Sequence, residues 1–169
     1  MGAPDREVTA VASITWRVMA YLTVVALTVP LLQGSDRLSH GTLLAAVAAA
    51  VLRAVGVPAT RAVDVVTGSG FAMHVFPVCD GADLVVILGV AILLSPAPWR
   101  LRAWGIATAL LLTQLLNLGR LVCMFIIGVY APERFDLFHH VLWQVIAIVF
   151  CVGLYATWLS LTPVGRRGR

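Results

Sequence analysis

Apolar residues in this chain gather into long runs separated by short polar breaks, and the run lengths carry the first reading. Residues 14–33 form a first run of spanning length, since a helix crosses a bilayer with about 20 apolar residues. Residues 34–41 (GSDRLSHG) are a break of turn formers. Residues 42–57 are apolar and alanine-rich but short for a span and contain Arg53, which suits a re-entrant or interfacial helix as well as a crossing one. Residues 58–78 change character. Prolines, glycines and β-branched residues alternate there with polar ones, which predicts a loop with one or two short strands outside the hydrocarbon. Cys79-Asp80-Gly81 follows, then an apolar run at 82–95, a basic loop at 96–102 (PAPWRLR), a long run at 103–130 and a last one at 139–161.

Composition supports a membrane chain. Hydrophobic residues make up 60% and charged residues 12%, with a mean hydropathy of +0.95, the profile of an integral membrane protein. The length of 169 residues suits a single membrane domain, 1–169. The net charge of +4 comes from arginines scattered near run ends, which argues for juxtamembrane placement and against a nucleic-acid surface. The twelve basic residues are all arginine, which reads as a genomic bias. Three cysteines show no metal-type spacing, and Cys123 and Cys151 fall inside apolar runs as small hydrophobes.

Arginine density sets the expected orientation. PAPWRLR and the terminal GRRGR belong on the cytoplasmic side. The run after Cys79 then enters from outside, the 103–130 run returns, and the last run goes back in. The expected fold is an all-α bundle of four transmembrane helices, or five if residues 42–57 cross. A short extracytoplasmic loop or strand segment (58–78) precedes the cysteine motif.

One residue breaks the long run. Arg120 lies well inside it, at a cost of at least ~2.5 kcal/mol unless it faces protein or a watery cavity. Asn117 and Gln114, spaced by three, extend a polar stripe along the same helix face. In this topology Cys79, Arg120 and His139-His140 all lie toward the outer face. A cysteine beside a histidine is the minimal arrangement for thiol nucleophilic catalysis. The head of the following helix lowers a thiol pKa, whereas Asp80 and Asp83 push it up, so a cation such as Arg120 is needed nearby. Arg120 can also hold an oxyanion or a substrate carboxylate. Each residue has a plainer reading: Cys79 as packing, Arg120 as a helix-pairing residue, the histidines as solvated or capping groups, Trp143 as an interfacial anchor. His40 and His74 are taken as structural.

The order of these residues resembles the exosortase/archaeosortase family. The resemblance rests on Cys79-Asp80-Gly81 at the head of one helix, Asn117-Leu118-Gly119-Arg120 within the next and Phe138-His139 at the head of the one after, and covers a core of about 70–155. Ser39-His40-Gly41 and Trp143-Gln144 add weaker likenesses. The middle residue of the cysteine motif is often serine or asparagine in that family; here it is Asp80.

The resemblance implies a multi-pass cytoplasmic-membrane cysteine transpeptidase or protease with its active site on the extracytoplasmic side. By position Cys79 is the nucleophile and Arg120 and His139 complete the triad. Asn117, Gly81, Asp80 and His140 support it, with His140 a second candidate base. No cofactor or metal is implied. The implied partners are the lipid bilayer and exported proteins carrying a C-terminal motif, one hydrophobic helix and a basic tail. The other class open to the sequence is a non-enzymatic assembly or transport subunit that uses Arg120 for helix pairing. A haem site on His74 and His139 is disfavoured because the histidines lie outside the middle of the runs.

Overall fold

The computed structural model describes residues 16, 18–28, 38–76 and 81–162, with residues 38–40 described by their backbone. Among the described residues six α-helices and three strands follow one another: α1 (Val18–Thr28), α2 (Leu38–Ala54), β1 (Thr60–Ala62), β2 (Val65–Gly68), β3 (Phe71–His74), α3 (Ala82–Leu93), α4 (Trp99–Tyr130), the single turn α5 (Phe135–Leu137) and α6 (Trp143–Leu161).

The long axis is α4. Its 32 residues give a rod of about 48 Å, longer than the ~30 Å hydrocarbon core of a bilayer. It starts at Trp99, behind Pro98 at its cap, so it absorbs the WRLR expected as loop. After Tyr130 the chain turns through Pro132–Arg134 and α5 and continues into α6. Pro132–Leu161 is the second stretch long and apolar enough to cross a membrane. The outward side of this stretch is apolar, with Val145, Ile148, Val149 and Val152 exposed. Lipid suits such a surface.

Among the described residues these are the two helices of spanning length; α1, α2 and α3 are apolar but shorter. The expected four long spans are therefore not all present within the described residues. Helix α3 has 12 residues, about 18 Å. It ends where the Arg102 guanidinium donates to the Leu93 and Ala97 carbonyls at 2.9 and 2.6 Å, a cation placed against the negative end of a helix.

Two apolar clusters lie along α4. Near its start, Leu88 and Ile92 of α3 pack with Ala97, Ala109 and Trp158. Gly105 lets the Trp158 ring lie directly on the α4 backbone. Near its end, Leu121, Met124 and Phe125 meet Leu44, Ala45, Ala48 and Leu52 of α2 and Val66 and Met73 of the sheet. Helix α2 begins at Leu38, within the stretch expected as a break, and lies against the sheet.

The sheet corrects the all-α expectation. The described part of residues 58–78, up to 76, contains three strands, in antiparallel order β1-β2-β3. Two-residue turns explain it. Val63-Asp64 and Ser69-Gly70 each join paired strands, and Ser69 and Gly70 both take positive φ, the conformation tight hairpins favour. Val66 and Met73 are cross-strand partners, and both are buried toward α2 and α4. That shared apolar face holds a small sheet on the helices.

Candidate active site

The site is built on the middle of α4. Gly105, Ala109, Thr113, Asn117 and Leu121 form a buried row at four-residue spacing, which is one face of a helix. Thr113 returns its hydroxyl to the Ala109 carbonyl at 2.6 Å and so carries no polarity into the bundle. Asn117 is 3% exposed. Arg120, one turn further, is half-buried.

Helix α3 begins against this point. Gly81, at its N-terminal cap, has φ 72°, and a Cβ there would lie 3.1 Å from the Asn117 Cγ. Only glycine combines that left-handed backbone with so close an approach at no steric cost. The last residue of the Cys79-Asp80-Gly81 motif therefore touches the first of the Asn117–Arg120 motif. Cys79 and Asp80 themselves lie outside the described residues.

His139 reaches the same place from the last helix. Phe138–Leu142 is a π turn, a widened helical turn often found at functional sites. It carries His139 half-buried and His140 exposed. The His139 ring stacks on Phe135, with centroids 5.6 Å apart, and its Nδ1 lies 3.4 Å from the His140 Nε2. Trp143 packs against the sheet-side cluster.

Arg120 and His139 line one pocket of about 340 Å³ with Phe71, Met73, His74 and Phe76. The structure thus brings two of the three expected catalytic residues together; His140 stands beside them, outside the pocket lining. A larger cavity of about 450 Å³ opens between α1, α3 and α6. Its walls are mostly apolar, and neither arginine nor histidine is among them. The smaller pocket is the one of the two that gathers arginine and histidine side chains.

That pocket also holds His74, expected as structural, and gives it a carboxylate partner. The His74 Nε2 stands 2.7 Å from the Asp64 Oδ2. The signal was available: a two-residue turn at Ser69-Gly70 sets Val65 opposite His74, which brings Asp64 beside it.

The family follows from the comparisons. The model of the family described as transmembrane exosortase (Exosortase_EpsH) matches residues 9–157. The chain belongs to the transmembrane exosortase family. No curated protein and no solved structure matches the chain.

Proposed function

We propose that this protein is a membrane cysteine transpeptidase or protease that removes C-terminal sorting segments from exported proteins. The observation that carries the reading is the bracketing of Cys79. Phe76, three residues before it, lines the pocket of Arg120 and His139, and Gly81, two residues after it, rests on Asn117. Family membership gives the class of reaction.

The substrate's hydrophobic C-terminal helix packs laterally against the bundle and leaves its recognition motif at the extracytoplasmic face of the cytoplasmic membrane. Helices α1 and α3 supply the other two of four crossings. His139 takes the thiol proton, and Cys79 attacks the scissile carbonyl. Arg120 holds the oxyanion or the substrate backbone, the task a pre-aimed guanidinium performs best away from bulk water. Asn117 keeps the cysteine motif in register with Arg120 through Gly81. The leaving segment takes the proton from His139, and an acceptor or water resolves the thioester.

A cysteine series tests this. Processing of exported proteins stops in Cys79→Ala and continues in Cys123→Ala and Cys151→Ala, whose thiols lie along α4 and α6. Continued processing in Cys79→Ala would remove the reading.

A further inference from the structure

We propose that His74, oriented by Asp64, is the base that deprotonates the acceptor nucleophile when the acyl-enzyme is resolved. The inference rests on the thioester reading above and adds a second catalytic imidazole to it. The acceptor is any proton-bearing nucleophile with a lone pair: an amine, a hydroxyl or water.

His74 and His139 line the same pocket from different elements, β3 and the π turn, with Arg120 on a third. Their surroundings differ. His139 is half-buried, stacked on Phe135 and beside His140. His74 has a carboxylate at 2.7 Å. An ionised carboxylate only accepts hydrogen bonds, so Nε2 donates to Asp64 and, in the neutral ring, Nδ1 keeps the lone pair. A base whose second nitrogen is held by a carboxylate is the arrangement that fixes tautomer and orientation in acyl-transfer catalysis.

The Asp64–His74 pair is also rigidly built. The Val75 N–H donates to the Asp64 carbonyl at 2.9 Å, and Val65 pairs with His74 across the ladder. The Arg61 guanidinium donates to the Thr42 and Val63 carbonyls, which ties the β1–β2 turn to α2. Val63 itself has φ 55°, a conformation rare for a β-branched residue. That turn presents Asp64.

Placement divides the labour. The scissile segment arrives from the membrane, toward α4 and the last helix. The acceptor is polar and arrives through water, where the His74 side chain is 38% exposed on the sheet. In the step, the acceptor lone pair bonds the thioester carbonyl carbon as its proton passes to the His74 Nδ1. The C–S bond breaks, Cys79 leaves as thiolate, and the imidazolium returns the proton to it. Thioester and acceptor become acyl-acceptor and thiol.

The test uses epitope-tagged full-length protein in its own cells, with the hydroxylamine-labile covalent conjugate on the tagged chain measured against processed product. His74→Ala and His74→Gln should raise the conjugate-to-product ratio by about 100-fold, the low end of the range general-base removal produces. The Gln variant keeps a polar side chain should the Ala variant accumulate poorly. Asp64→Asn, acting through His74, should raise the same ratio by about tenfold, the low end of what loss of an orienting partner costs, a readout that lower protein levels alone would not move. No conjugate should form in His74→Ala combined with Cys79→Ala. The mass of the new C-terminus separates hydrolysis from transfer to an amine or hydroxyl. A wild-type ratio in both His74 variants, or loss of conjugate and product together, overturns the role. Processing that survives Cys79→Ala overturns the thioester itself, and is thereby told apart from failure of His74 alone.

Discussion

The backbone of Gly81 lies against the side chain of Asn117, leaving 3.1 Å between the Asn117 Cγ and the position a Cβ would take. Two motifs 36 residues apart in sequence, judged by those two positions, thus meet at a contact so tight that a Cβ at 81 requires Asn117 to give way. Gly81→Ala adds a methyl group at φ 72°, a strained placement costing ~1–3 kcal/mol. It must also move Asn117. A displacement of about 1 Å in a catalytic constellation can cost on the order of 100-fold. Processing should fall at least about tenfold at matched protein level, a smaller loss than such a displacement can produce. Unchanged processing would show that the contact does not position the site.

Arg120 lines the pocket beside His139. Removing an oxyanion donor costs about 100- to 1,000-fold, so Arg120→Ala should reduce processing by that order with membrane insertion intact. Arg120→Lys keeps the charge but loses the planar fork and should also remain impaired. A helix-pairing role predicts the opposite pattern: protein levels drop with Ala and recover with Lys. Immunoblotting of membranes alongside the processing assay separates the two.

The adjacent histidines differ in placement: His139 lines the pocket and His140 is exposed. His139→Ala should abolish acylation, while His140→Ala should stay within about threefold of wild type, because His140 lies outside the pocket lining. Covalent conjugate formation by each variant reads this directly. The reverse ranking would make His140 the base.

Phe71 packs its ring on the α4 backbone at Gly128, where a Cβ would overlap the ring. Phe71 also meets Phe125 edge-on, with centroids 5.6 Å apart, and lines the pocket. Gly128→Ala should destabilise the protein by ~1–3 kcal/mol, the usual cost of overpacking. Shortening the opposing side chain in Gly128→Ala/Phe71→Leu should recover part of the loss. Thermal unfolding in detergent measures both; a double variant less stable than either single would contradict this packing.

Much of this was legible from residue order because bilayer physics is strict. An arginine inside a long apolar run must face protein or a cavity, and Arg120 does face one. Short-range signals were less complete. The sheet of β1, β2 and β3 depends on two tight turns and a shared apolar face, and the alternation of residues 58–78 showed strands without their number. The π turn at Phe138–Leu142 left no mark in the apolar spacing, since the helix that follows it is apolar on nearly every side and a rotated face looks the same. The Asp64–His74 pair needed hairpin register, which only the Ser69-Gly70 turn could have supplied. Helix α2 runs four residues earlier than the turn formers suggested, because packing on the sheet outweighs local propensity.

Cys79 carries the account, and the most direct measurement is C-terminal peptide spectrometry of exported proteins from cells with wild type or Cys79→Ala. The account predicts that one or more proteins keep a hydrophobic segment and basic tail in the mutant only, which also identifies the substrate. Identical C-termini in the two strains, with the variant expressed at wild-type level, would contradict it.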